Sequence, residues 1–172
     1  DGFIRLMYSN IDSPNENVTR YFEKVNQASK RMSAMIDDLL SFSRLGRKEL
    51  VRSDVNINQV ISELIELFRP EFSKRKIDWK TSQIPVVIGD RSLLKHAFEN
   101  ILGNAIKYTR TKEEAVIEIG MSNQTEETIE IYVKDNGVGF DMAYSEKLFG
   151  VFQRLHSSEE FEGTGIGLAN VK

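Results

Sequence analysis

Apolar residues recur at helical spacing along the first quarter of the chain. Ile4, Met7 and Ile11 form a short stripe that Asp12-Ser13-Pro14 interrupts. Ser13-Pro14-Asn15-Glu16 is a capping box with proline at the first helical position, where a missing N–H removes no bond, so a second helix is predicted to begin there. From Val18 the apolar positions keep a heptad rhythm: Val18, Val25, Met32 and Leu39 in one register, Tyr21, Ala28, Met35 and Phe42 in the other. Phe22 and Ile36 widen this stripe beyond a two-stranded seam, towards the face a helix bundle needs. Gly46 is the expected stop. A hairpin with so short a first arm cannot bury the stripe internally. Packing on the rest of the chain is the plainer reading; the sustained heptad favours self-association into a four-helix bundle.

The pattern then changes. Residues 49–54 read as a short strand, and Asn56 with Gln59 signals a helix cap ahead of Val60, Ile61, Leu64, Ile65 and Phe68. Pro70 is expected to end or bend that helix. Residues 77–80 alternate like a strand, and 85–90 read as another that ends in a turn. A long helix is predicted over 91–108. Alternation over 115–121 and 128–133, with the polar stretch 122–127 between them, predicts a hairpin. Helices and strands in mixed order, with hairpin pairing, predict one mixed sheet covered by helices on one face.

Composition narrows the class without naming a function. The chain has 172 residues, 40% hydrophobic and 28% charged, as in an ordinary folded protein. A net charge of −3 with interspersed signs gives no footprint for nucleic acid or a membrane surface. No cysteine is present, which excludes disulfides and thiolate metal sites. No apolar run approaches the roughly 18 residues of a membrane-spanning helix. Asp1 opens abruptly in helical pattern, which reads as a fragment.

Candidate chemistry lies in three places. At about 100° per residue, Leu94, Phe98, Ile101, Leu102 and Ala105 gather on one side of the long helix. Asn100, Asn104 and Lys107 form a polar stripe roughly 140° away. A solvated face is the simplest reading of that stripe alone, yet an amide oxygen suits Mg²⁺ and an ammonium suits phosphate. Asp135-Asn136-Gly137-Val138-Gly139-Phe140 follows a predicted strand; its glycines admit a flat ligand and its carboxylate can accept from an amine. Gly163-Thr164-Gly165-Ile166-Gly167-Leu168 precedes an apparent helix start, the setting of a phosphate cradle. No Gly-Lys-Ser/Thr follows, so this is not a Walker loop. About 20 irregular residues separate the last two motifs, a length that favours a functional lid. Phe149 and Phe152 are expected to clamp it to the core, and Arg154 to reach a terminal phosphate. His156 reads as a surface histidine.

Taken in order, Asn100-x-x-x-Asn104-Ala105-x-Lys107-Tyr108, Asp135-x-Gly137-x-Gly139, Phe149-x-x-Phe152-x-Arg154 and the Gly163–Leu168 motif resemble the N box, glycine boxes and F box of sensor histidine kinases. Phe152-Gln153-Arg154-Leu155-His156 looks most like the phytochrome-type subgroup. The resemblance implies an α+β fold, a Bergerat-type α/β sandwich preceded by a helical hairpin. Residues 1–46 would be a partial dimerisation and histidine-phosphotransfer hairpin, and 47–172 an ATP-binding catalytic domain truncated at its C-terminus. It implies ATP and Mg²⁺: Asp135 would recognise the adenine amino group, with Gly137 and Gly139 shaping its pocket. Asn104 would hold the metal beside Asn100, and Lys107 and Tyr108 would face phosphates and ribose. Gly163, Thr164, Gly165, Gly167 and Leu168 would form the closing loop; Asn100, Lys107 and Arg154 would act on the transferring phosphate. A homodimer through the hairpin, a response-regulator receiver domain as partner, and a cytoplasmic location are further expectations.

Two departures qualify the match. The histidines are His96 and His156, and neither lies in the first arm, so the phosphoacceptor is expected upstream of residue 1. The family's domain also continues beyond residue 172. Among rival readings, the ATPase switches of the same superfamily place glutamate where this chain has Asn100, and an amide cannot act as a general base. A non-catalytic adaptor would tolerate degenerate glycines or a missing Asn104, and neither is seen. A serine kinase of the same fold is disfavoured by the heptad hairpin.

Overall fold

The computed structural model describes residues 7, 16–45, 49–73, 75–157 and 160–171. Most of the expected first arm, residues 13–15 of the capping box, the Gly46 stop and the Phe42 side chain therefore lie outside the described residues. The chain divides into two compact units, Asp1–Gly46 and Arg47–Lys172.

In the first unit, α1 spans Glu16–Leu45. The heptad residues Tyr21, Val25, Met32 and Leu39, with Ile36 beside them, are 46–59% exposed, a continuous apolar stripe along the helix. Val18, Phe22 and Met35 are half-buried on the flank of that stripe.

The second unit starts with β1 (Ser53–Val55), shorter than the strand expected over 49–54 and ending at buried Val55. Asn56 Oδ1 accepts the Gln59 N–H at 3.2 Å and opens α2 (Ile57–Phe68). Ile57, Val60, Ile61 and Leu64 point inward from it, each burial stabilising the fold by about 1.5–3 kcal/mol. Pro70 stops the α-helical ladder as expected, and the chain tightens into a 3-10 turn over Arg69–Phe72. Strands β2 (Ile77–Thr81) and β3 (Val87–Gly89) follow. Between them the Asn58 amide brackets Ile84, donating to its carbonyl at 2.6 Å and accepting from its N–H at 3.1 Å.

Helix α3 runs over Arg91–Tyr108, as its pattern predicts. Asp90 caps it, one carboxylate oxygen accepting from Ser92 N and Leu93 N. Phe98, Leu102, Ala105 and Ile106 are buried, while Leu94 packs at the margin. Then come β4 (Ala115–Gln124) and β5 (Ile129–Asp135). Their hairpin turn is tighter than expected. β4 continues to Gln124 across a register break after Met121, and Thr125 N donates to Thr128 O at 2.8 Å to close the reversal.

The mixed sheet is present as β2-β4-β5, with β2 parallel and β5 antiparallel to β4. It does not take in every strand: β1 and β3 form a separate antiparallel pair. Alternate β4 residues Ala115, Ile117 and Ile119 are buried in one core with the inner faces of α2 and α3. The helices thus cover one face of the sheet. Among the described residues no helix is long and apolar enough to cross a membrane.

Candidate functional site

Stretches far apart in sequence meet on α3, the glycine-rich loop along its polar face and the Asp135 turn at its C-terminal end. Asn100 and Asn104 lie half-buried one turn apart. Asn100 Nδ2 donates to His96 O at 2.9 Å, which aims its Oδ1 the other way, towards Gly167. A Cβ on Gly167 would come 2.7 Å from that oxygen, so a side chain there would displace the amide. The Asn104 side chain makes no hydrogen bond among the described residues. One turn on, Lys107 Nζ stands 4.4 Å from the Tyr108 ring centroid, and a Cβ on Gly163 would come within 3.3 Å of it. The helix face and the glycine-rich loop are therefore in contact at both ends of the polar stripe.

The C-terminal end of α3 is held from outside. Arg75 donates to Thr109 O at 2.8 Å and also to Ile106 O, covering carbonyls that the helix leaves open. Thr109, fully buried, turns its hydroxyl back to Ala105 O at 2.8 Å. The Tyr108 carbonyl accepts from Val138 N at 3.2 Å, tying the helix end to the Asp135–Gly139 turn. Within that turn Asp135 Oδ1 accepts from Gly137 N at 2.8 Å. Asp135 is an exposed residue, and its other oxygen accepts nothing among the described residues. Asn136 extends the ladder beyond β5: its side chain accepts from Val116 N and donates to Glu114 O.

The segment between the turn and the glycine loop holds a 3-10 turn over Met142–Lys147 and otherwise irregular chain. The expected clamps do not clamp. Phe149 and Phe152 are 45% and 53% exposed, and Phe152 takes φ +63°, a conformation that costs a bulky side chain about 1–3 kcal/mol. Phe161 does the anchoring instead. It is 5% exposed, with its ring 5.1 Å from Tyr108 and 5.3 Å from His156. Arg154 Nη2 donates to Phe161 O at 2.6 Å and Ser157 O at 3.3 Å, so its guanidinium shapes the loop from within. Gly165 passes so close beneath that a Cβ would lie 2.8 Å from Gln153 O; at φ +75° only glycine sits there without strain. Thr164 and Leu168 are half-buried and Ile166 is fully buried. Past the loop the chain forms a 3-10 turn, Ala169–Val171.

Electrostatically the site is short of negative charge. Burial holds the Lys107 ammonium below the ordinary lysine value, and the nearby Arg154 and Arg110 charges push it further the same way. Burial raises the Tyr108 phenol, partly offset by Arg154. None of these three cations is paired with a carboxylate among the described residues. An anion would relieve their mutual repulsion. No group of three or more His, Asp or Glu side chains is placed to hold a metal among those residues. A hard cation here would draw its oxygens from the Asn104 and Asn100 amides and from the anion itself.

Sequence reasoning missed Arg75, Thr109 and Phe161. Phe161 had a usable signal, a lone aromatic just before the glycine loop; Arg75 had none, since its partners lie more than 30 residues away.

Residues 89–172 match the family described as histidine kinase-, DNA gyrase B- and HSP90-like ATPase. The chain is 34% identical over 164 residues to cyanobacterial phytochrome B of Nostoc sp., covering 94% of this chain and 21% of that protein. It is 31% identical over 172 residues to the methanogenesis regulatory histidine kinase FilI of Methanothrix harundinacea, covering 99% of this chain and 19% of that one. In structure it is similar to the histidine kinase ThkA, solved in complex with the response regulator protein TrrA. The TM-score is 0.64 at 25% identity, over 91% of this chain and 46% of that one. The chain thus spans about a fifth of the length of these two curated relatives.

Proposed function

The chain carries the catalytic domain of a sensor histidine kinase, residues 89–172 belonging to the histidine kinase-, DNA gyrase B- and HSP90-like ATPase family, and from that membership we propose that it serves as an ATP-dependent autokinase module of two-component signalling. In this reading a histidine imidazole nitrogen attacks the γ-phosphorus of ATP, the bond to the β–γ bridging oxygen breaks and ADP leaves. The phosphoryl group then passes to an aspartate of a response regulator. ThkA, solved with TrrA, supports the second partner.

The observation that carries the proposal is the convergence on α3 of the glycine-rich loop, against its Asn100–Lys107 face, and of the Asp135 turn, at its Tyr108 end. Such a transfer needs positioning and charge neutralisation more than covalent chemistry, which suits amides, glycines and cations without a carboxylate partner among the described residues. The second Asp135 carboxylate oxygen would accept from the adenine amino group, in the turn shaped by Gly137 and Gly139. Lys107 and Tyr108 would face phosphates and ribose, with Arg154 adding positive charge from the loop it holds. Asn104, beside Asn100, would offer its amide oxygen to Mg²⁺, whose role when bound is to neutralise the phosphate oxygens. The loop containing Gly163, Thr164, Gly165, Gly167 and Leu168 would fold over them. The first unit, with its exposed heptad stripe, would supply the dimerisation surface.

Equilibrium binding of ATP with and without Mg²⁺ tests the site. Asp135→Ala is expected to abolish binding in both conditions; Asn104→Ala is expected to weaken it mainly when Mg²⁺ is present. Equal losses for Asn104→Ala in both conditions would refute the metal role, and unchanged binding by Asp135→Ala would refute the site.

A further inference from the structure

His156 has no part in the reading above. Its ring is half-buried, and its Nε2 lies 2.9 Å from the carbonyl oxygen of Gly139. A carbonyl oxygen only accepts, so the imidazole is the donor, and it donates in either the Nε2–H neutral form or the protonated one. The same ring stands 5.2 Å from Tyr108 and 5.3 Å from Phe161, closing an aromatic triad. Tyr108 is itself the residue whose carbonyl accepts from Val138 N.

The turn after β5 is consequently fixed at three successive residues. Gly137 N is held by the Asp135 carboxylate, Val138 N by the Tyr108 carbonyl, and Gly139 O by His156. The first two holds come from β5 and α3. The third comes from the segment leading into the glycine-rich loop. A histidine that was merely solvated would supply neither the bond nor the tilted and edge-on ring contacts. We propose that His156 is a positioning residue for adenine-nucleotide binding, fastening the loop segment to the base-recognition turn so that one contact sets the shape of both. This rests on the nucleotide site proposed above.

Two variants separate the bond from the ring. His156→Phe keeps an aromatic side chain against Tyr108 and Phe161 but has no donor. His156→Gln keeps an N–H of similar reach but has no ring. Binding of ADP and of ATP, each with and without Mg²⁺, is measured on the 172-residue chain together with the unfolding temperature of the ligand-free protein. His156→Phe is expected to lose about five- to tenfold in affinity, the worth of one hydrogen bond, by the same factor for ADP and ATP and irrespective of Mg²⁺. His156→Gln is expected to stay within about twofold of wild type. Wild-type affinity in His156→Phe overturns the inference, as does a loss confined to ATP with Mg²⁺, or a loss in His156→Gln as large as in His156→Phe. A fall in ligand-free unfolding temperature that accounts for the affinity loss also overturns it, since the role would then be structural. A wild-type chain that binds neither nucleotide removes the proposed site and this inference together. A wild type that binds, with variants that bind equally, removes the inference alone.

Discussion

Lys107 is the residue on which sequence and environment pull hardest against each other. Its place in the polar stripe was legible from helical periodicity; its surroundings were not. Burial is the main cause of its lowered pKa, followed by Arg154, which arrives from the loop, and Arg110, which follows α3. Because the folded value lies below the ordinary 10.5, the unfolded chain binds more protons in the alkaline window beneath that figure. Stability therefore rises as pH climbs through the folded pKa and is lost as pH falls back through it. A polyanion at the site would restore the charged form. Nucleotide binding in that window is accordingly expected to take up protons, seen by calorimetry in two buffers of different ionisation enthalpy, and Lys107→Met should remove the uptake. Buffer-independent binding heats for the wild type would contradict phosphate contact at Lys107.

At the scale of elements, α3 is the part the sequence described best and α3's end the part it described least. Asp90 as cap, the apolar face through Phe98, Leu102 and Ala105, and the bounds at Arg91 and Tyr108 are all local properties, set by spacing and a neighbouring side chain. Arg75 belongs to another segment, and nothing in the residues around it marks a helix clamp. Its hydrogen bonds to the Ile106 and Thr109 carbonyls fix the turn that presents Lys107 and Tyr108. Arg75→Ala is expected to cost about 1–3 kcal/mol in denaturant unfolding, the range for hydrogen bonds to a charged group and the carbonyls left open. A midpoint unchanged from wild type would show that the clamp contributes nothing. The hairpin shows the same division. Alternation placed β4 and β5, whereas the tight reversal at Thr125–Thr128 depended on pairing that polarity alone misplaced by counting Ser122 to Gln124 as turn.

For the whole molecule, the apolar stripe of α1 sets the clearest expectation. Tyr21, Val25, Met32, Ile36 and Leu39 remain exposed at spacings of four, seven, four and three residues, the periodicity that helix–helix packing uses, rather than a scatter of surface apolar groups. Sedimentation velocity across a concentration series is expected to show self-association that Val25→Glu with Ile36→Glu abolishes; a wild type that stays monomeric would remove the dimer proposal. The sequence by itself determined the mixed α+β class, nearly every helix and strand among the described residues, the order of the glycine motifs and hence the kinship with histidine kinases. These follow from periodicity, caps and local residue chemistry, all of which act over a few residues. Only the tertiary structure decided that the strands divide into two ladders, that Phe161 and not Phe149 or Phe152 anchors the loop, and that Arg154 is engaged by loop carbonyls. It alone brought His156 to Gly139, 17 residues away along the chain. The physical reason is common to all of these. Which aromatic is buried, and which donor finds which carbonyl, depends on surfaces contributed by distant segments, and no spacing along the chain encodes that choice.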